Sequence, residues 1–167
     1  MKNYGKMTLT TQGDQEIVMT RTFDAPRRLV YDAWTKPELL KRWLGVRGGW
    51  ELAVCELDLR VGGQARYVWR SSEGRSMGMT QTYLELVPHE RLVAKELFDD
   101  PWYPGDAVAT VELSEEAGRT TVRQIVRYAS AEARAMVLKF PAIEGVAESF
   151  DALEELLAQR PSSPKVT

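Results

Sequence analysis

Cysteine and histidine occur once each, as Cys55 and His89. A lone cysteine cannot close an internal disulfide, and the pair is too sparse for a zinc cluster, so neither a stapled fold nor a metal centre is expected. The simplest compartment is then a reducing one, the cytoplasm. No run of about 18 apolar residues exists to span a bilayer, and the opening MKNYGKMTLTTQGDQ lacks the apolar centre of a signal peptide. Membrane insertion and export are not expected. The 22 basic and 24 acidic residues form no like-charge block, which argues against nucleic acid or anionic lipid as a partner held by a general field. Walker sequences, dinucleotide fingerprints and nucleophile elbows are missing, and Gly45-x-x-Gly48-Gly49 lacks the Lys-Ser/Thr ending of a phosphate loop. No cofactor is expected.

What is present is an ordinary globular composition, 44% apolar and 28% charged over 167 residues, enough to bury about two-thirds of the unfolded surface in one core. Residues 1–15 are polar and aperiodic and read as a flexible N-terminal arm. Residues 16–159 read as one domain and 160–167 as a C-terminal tail. Ile17, Met19, Arg21 and Phe23 alternate as a first strand, and Asp24-Ala25-Pro26 ends it and opens a short helix with Val30, Ala33 and Trp34 at helical spacing. Thr35-Lys36-Pro37-Glu38 has the form of a capping box for a second short helix through Trp43.

Cys55, Leu57, Leu59 and Val61 then alternate with polar residues as a strand, turned by Gly62-Gly63. Further strands are expected over 66–70, 77–86, 92–98, 108–113 and 120–128, about seven in all. Ser130 caps a helix to about Lys139, and Pro141 interrupts it. Over 142–159 the residues Ile143, Val146, Ala147, Phe150, Leu153 and Leu157 fall on one helical stripe, with Glu144, Glu148, Asp151 and Glu155 opposite. The fold class is therefore α+β: an antiparallel sheet with one long terminal helix lying across it.

Four motifs in order carry a resemblance. Arg21-x-Phe23-x-Ala25-Pro26-x-x-x-Val30-Tyr31-x-Ala33-Trp34, Pro37-Glu38-Leu39 with Trp43, Asp58-Leu59-Arg60-Val61-Gly62-Gly63, and Glu85-Leu86-Val87-Pro88-x-Glu90-Arg91-Leu92-Val93 resemble the START-like (SRPBCC, Bet v 1-like) superfamily. Within it, the chain is most similar to the branch related to the C-terminal domain of the activator of heat-shock-protein-90 ATPase, as is its ending from Glu144 to Leu153. The resemblance implies a helix-grip fold, a curved sheet of about seven strands and two short helices around a long C-terminal helix, with a cavity that takes hydrophobic ligands. It departs at Pro141-Ala142, where the branch often has Gly-Met, and at Val146, where relatives often carry an aromatic. The relative activates another protein's ATPase and is not one itself.

With a cavity implied, the strand patterns nominate its lining. Tyr67 and Trp69 share a face, either as core filling or as polar tips that orient a ligand. Met79 and Tyr83, with Met77, suit an adaptable apolar pocket. Glu96 interrupts the alternation of Leu92 and Ala94, and Gln124 that of Val122 and Val126, so each is either a cavity group needing a partner or a strand-end residue reaching water.

The loop 99–106, with three aspartates around Trp102 and Tyr103, matches no calcium spacing and reads as a rim with its aromatics packed down. His89 reads as a solvated turn residue and Cys55 as buried and inert. Ile143, Val146 and Phe150 are the helix positions expected to touch a ligand. No catalytic set emerges. The leading expectation is a non-catalytic domain holding a small hydrophobic or amphipathic molecule. The alternatives are a co-chaperone-like module with a chaperone partner, or a cyclase or hydrolase using Glu96, Gln124 or a tyrosine. Exposed strand edges leave room for a homodimer.

Overall fold

The computed structural model of the chain describes residues 1–159. In order, it contains β1 (Lys2–Tyr4), β2 (Met7–Gln12), β3 (Glu16–Phe23), α1 (Arg27–Thr35), α2 (Pro37–Leu40), β4 (Trp50–Leu57), β5 (Gln64–Ser71), β6 (Ser76–Val87), β7 (Arg91–Phe98), β8 (Ala107–Glu116), β9 (Arg119–Tyr128), α3 (Ala131–Lys139) and α4 (Ala142–Ala158). All strands join one antiparallel sheet in the order β1-β2-β3-β9-β8-β7-β6-β5-β4. Apart from the pairing of β3 with β9, every neighbour is adjacent in sequence, as turn-separated strands favour. Register shifts between Leu52 and Val54 and between Tyr83 and Glu85 bend the β4–β6 side, because an extra residue on one strand sharpens its twist. The sheet thereby curls around α4.

The helix-grip architecture stands, with four corrections. The sheet has nine strands, since residues 1–15 hold β1 and β2 instead of forming an arm. Met7 and Leu9 are buried, and β2 pairs with β3 along Thr8–Gln12; two apolar side chains in a polar stretch suffice when a neighbouring strand supplies the ladder. The alternation from Cys55 stops at Leu57. Beyond it, the Arg60 and Gly63 backbone N–H groups bond the carbonyls of Asp58 and Arg60 in a tight turn, leaving Leu59 and Val61 exposed.

The third correction is the capping box, which does not form: the Thr35 hydroxyl donates back to the Tyr31 carbonyl at 2.9 Å, and α2 starts without a side-chain cap. The fourth concerns α4. Its buried face is Ile143, Ser149, Phe150, Ala152, Leu153, Leu156 and Leu157, while Val146 and Ala147 are half-buried. The α3 cap is as expected, with Ser130 Oγ accepting from the Ala133 N–H at 3.0 Å. The stretch 160–167, read as a tail, lies outside the described residues.

The core sits between the concave face and α4. Phe150 is its aromatic hub, meeting Phe23 at 5.8 Å, Trp34 at 6.0 Å and Trp43 at 6.4 Å. Arg21 points inward with Ile17, Met19 and Phe23; its side chain is fully buried and bonds Asp151 at 2.7 Å and Glu154 at 3.1 Å. The C-terminal half of α4 is thus tied to β3 by packing and by charge. No described helix is long and apolar enough to cross a membrane.

Candidate functional site

Beside that core, the N-terminal half of α4 stands off the sheet. A cavity of about 670 Å³ lies between them. Its origin is visible in the cross-strand rows. One row runs Ala65, Gln81, Glu96, Ala107, Tyr128, and the next runs Tyr83, Ala94, Ala109, Val126, Ile17. Residues opposite each other in a ladder share a face, so the paired alanines Ala94 and Ala109 form a low floor among taller side chains. Large residues there would have filled the space.

The first row is polar within this apolar enclosure. Gln81 Nε2 donates to Glu96 Oε2 at 2.7 Å, while its Oε1 accepts from the Tyr67 hydroxyl at 3.2 Å. Both ends of the Gln81 amide are thereby fixed. Glu96 Oε1 makes no hydrogen bond among the described residues, and Glu96 borders the cavity. Burial pushes the Glu96 carboxyl above its usual range, opposed in part by the Gln81 bond.

The surrounding phenols are also raised. Burial drives Tyr83 to about 12. Burial first, and then neighbouring groups that include Glu96, drive up Tyr67, Tyr103 and Tyr128. All four keep their protons at neutral pH. Gln124 faces the cavity from the next row, beside Val111 and Met19.

Three segments shape the mouth. Trp69 stacks on Tyr67 with centroids 5.8 Å apart and donates from Nε1 to the Leu44 carbonyl at 2.9 Å. The Gly45 N–H donates to Ser149 Oγ on α4 at 3.0 Å. Gly45 has φ of +69°, and a Cβ there would stand 2.5 Å from Trp69 Nε1. Only glycine fits this bridge between β5 and α4.

Opposite, the 99–106 loop packs down as a rim. Trp102 meets Phe140 edge-on at 5.4 Å, and Tyr103 meets Tyr128 at 5.2 Å. Its acids point elsewhere: Asp99 pairs with both terminal nitrogens of Arg66, at 2.7 and 2.6 Å, and Asp106 lies 3.4 Å from Lys95. Arg66 holds the Asp99 carboxyl below the usual range. Among the described residues no three His, Cys, Asp or Glu side chains group as metal ligands.

All ten candidate positions border the cavity: Tyr67, Trp69, Met79 and Tyr83 from β5 and β6, Glu96, Trp102 and Gln124 across the floor and rim, and Ile143, Val146 and Phe150 from α4. Polar-tipped lining residues outside that set are Gln81, Tyr103, which reads from sequence as a rim residue alone, and Tyr128. A signal existed for two of them: Gln81 lies two residues from Met79 and from Tyr83, and Tyr128 two from Val126, on alternations already assigned inward. His89 is exposed in a turn at φ of +66°, its ring 5.4 Å from Tyr31. Cys55 is buried, and its thiol is pushed up to about 11 by that burial.

Residues 24–158 match the family described as activator of Hsp90 ATPase homolog 1-like protein. The chain belongs to that family. Solved structures share its architecture. A Rhodobacter sphaeroides protein is 29% identical over 93% of this chain and 100% of its own, with a TM-score of 0.88. The Nitrosomonas europaea protein NE0264 is 27% identical over 89% of this chain and 97% of its own, at 0.78. An Aeromonas hydrophila protein named as AHSA1-like, 19% identical over 89% of this chain and 99% of its own at 0.71, shares the fold. No curated protein matches the chain. At Pro141 the helix α4 begins at once with Ala142, and both residues border the cavity.

Proposed function

We propose that this family member binds a small hydrophobic or amphipathic molecule between its sheet and the N-terminal half of α4, without transforming it. The reading is carried by one observation: a cavity of about 670 Å³ whose wall is mostly apolar and aromatic, with a few polar groups that include the hydrogen-bonded set Tyr67, Gln81 and Glu96. Such a volume is that of small-molecule sites, and a few convergent polar groups in an apolar pocket are what orient a ligand. Native mass spectrometry of the chain mixed with a metabolite and lipid panel tests it. Saturable one-to-one adducts that disappear on denaturation are expected; their absence across the panel contradicts the reading.

A catalytic reading of cyclase or hydrolase type draws on Glu96, a half-buried carboxyl on the cavity wall, raised above its usual range, that can hold a proton beside a substrate. It lacks a second carboxyl or a nucleophile on the same wall to complete a cycle, so binding is preferred. A chaperone partner rests on the family description alone, and a homodimer on the edge strands β1 and β4.

A further inference from the structure

Among the charged residues bordering the cavity, Glu96 is the one on the sheet floor, while Arg47 and Glu148 stand at the mouth. Arg47 pairs at the mouth with Glu155 at 3.2 Å, though its Nη2 is buried and makes no hydrogen bond among the described residues. On the floor, then, is one acid with no base facing it. Its neighbours are aromatic: the phenols of Tyr67, Tyr103 and Tyr128 all lie close enough to feel the Glu96 charge, and Trp69, Phe98 and Trp102 extend the wall. Glu96 Oε2 is taken by a neutral amide, and Oε1 receives nothing from the protein among the described residues. A carboxylate in such a place lacks only a positive charge with N–H donors, and aromatic rings attract the same charge.

We propose that the molecule held in this cavity is a hydrophobic amine, its ammonium donating to Glu96 Oε1 beside Tyr67, Tyr103 and Tyr128, and its apolar body lying over the alanine floor toward α4. The assignment rests on the binding function proposed above and names its ligand class. An anionic amphiphile would meet a carboxyl at the polar end of the cavity. A neutral alcohol could donate one hydrogen bond but would bring no counter-charge.

The proton balance fixes a pH dependence. When the protonated amine binds, Glu96 gives up its proton to solvent and the ion pair forms; the free protein, in which burial keeps Glu96 protonated to higher pH, must lose that proton first. Affinity rises as pH climbs through the Glu96 titration and falls above the pKa of the amine. The other titratable groups facing this space are Tyr67 on β5, Tyr83 on β6, Tyr103 on the rim and Tyr128 on β9, with Arg47 and its partner Glu155 at the mouth. The four tyrosines are shifted upward and stay neutral over that range. From α4 come Ile143 and Val146, which carry no charge, and Glu148 at the mouth.

Isothermal titration of the full chain with decylamine, 1-decanol and decanoate at neutral pH separates the possibilities. Decylamine is expected to bind roughly tenfold tighter than decanol, and decanoate weakest. In Glu96→Gln the decylamine advantage should vanish while decanol binding persists, which also reports an intact cavity. If that variant does not fold, the wild-type ratio of decylamine to decanol affinity, measured from acid to neutral pH, must rise. Decanol or decanoate binding as tightly as decylamine overturns the amine assignment and leaves the cavity reading standing, as does an amine preference that survives in Glu96→Gln. Failure of all three to bind contradicts both.

Discussion

Arg21 and Glu96 are both ionisable side chains turned toward the inside of the sheet, and their surroundings treat them oppositely. Arg21 meets two carboxylates from α4, and those acids reach water, with Asp151 56% and Glu154 41% exposed. Removing the arginine leaves acids that can still be solvated; removing the acids leaves a buried cation alone. The double variant Asp151→Asn/Glu154→Gln should therefore lose about 3 kcal/mol in urea denaturation, and Arg21→Met clearly less.

Glu96 has only a neutral amide for company, so the folded state favours its protonated form. With a folded pKa above the unfolded one, the contribution of Glu96 to stability is full below the unfolded value and is lost as pH rises through the folded one. Glu96→Gln should thus match wild type in acid and exceed it at neutral pH, as followed by thermal melts across pH. Glu96 was legible because its charge breaks an apolar alternation. The buried role of Arg21 was not, since its two partners come from a helix 130 and 133 residues later.

At the level of elements, the connection from α2 to β4 is held more firmly than a loop of glycines suggests. Gly45 bonds Ser149, Leu44 accepts from Trp69, and the φ of +69° leaves no room for a side chain beside the indole. Gly45→Ala should destabilise by about 1–3 kcal/mol and change the Trp69 environment, read by near-UV circular dichroism. Ser149→Ala removes one acceptor and should cost about 1 kcal/mol.

Strands and helices in the middle of the chain were legible because their apolar periods run six residues or more between turn signals. β2 was not, because Met7 and Leu9 alone mark it. The strand starting near Cys55 was drawn too long, because Leu59 and Val61 continue its period into a turn that backbone hydrogen bonds dictate. The capping box failed for a similar reason: Thr35 had a nearer carbonyl to bond.

The whole molecule divides α4 into two roles. Its C-terminal half closes the core through Leu153, Leu157 and the Arg21 pairs, and its N-terminal half roofs the space that the alanine floor leaves open. The helix and its sheet were legible as an architecture, and so was the inward set of Tyr67, Trp69, Glu96 and Gln124. The volume was not, because it depends on Ala94 and Ala109 standing opposite each other on β7 and β8, a relation of register that no single strand displays.

The central claim is that this space takes a ligand. Its most direct measurement is the fluorescence of the neutral apolar probe N-phenyl-1-naphthylamine, titrated into wild type and into Val146→Trp, which puts an indole under the roof. The account predicts saturable, blue-shifted emission at one probe per chain in wild type, with affinity lost at least tenfold in the variant while its far-UV circular dichroism is unchanged. Equal binding by both proteins, or none by wild type, would contradict it.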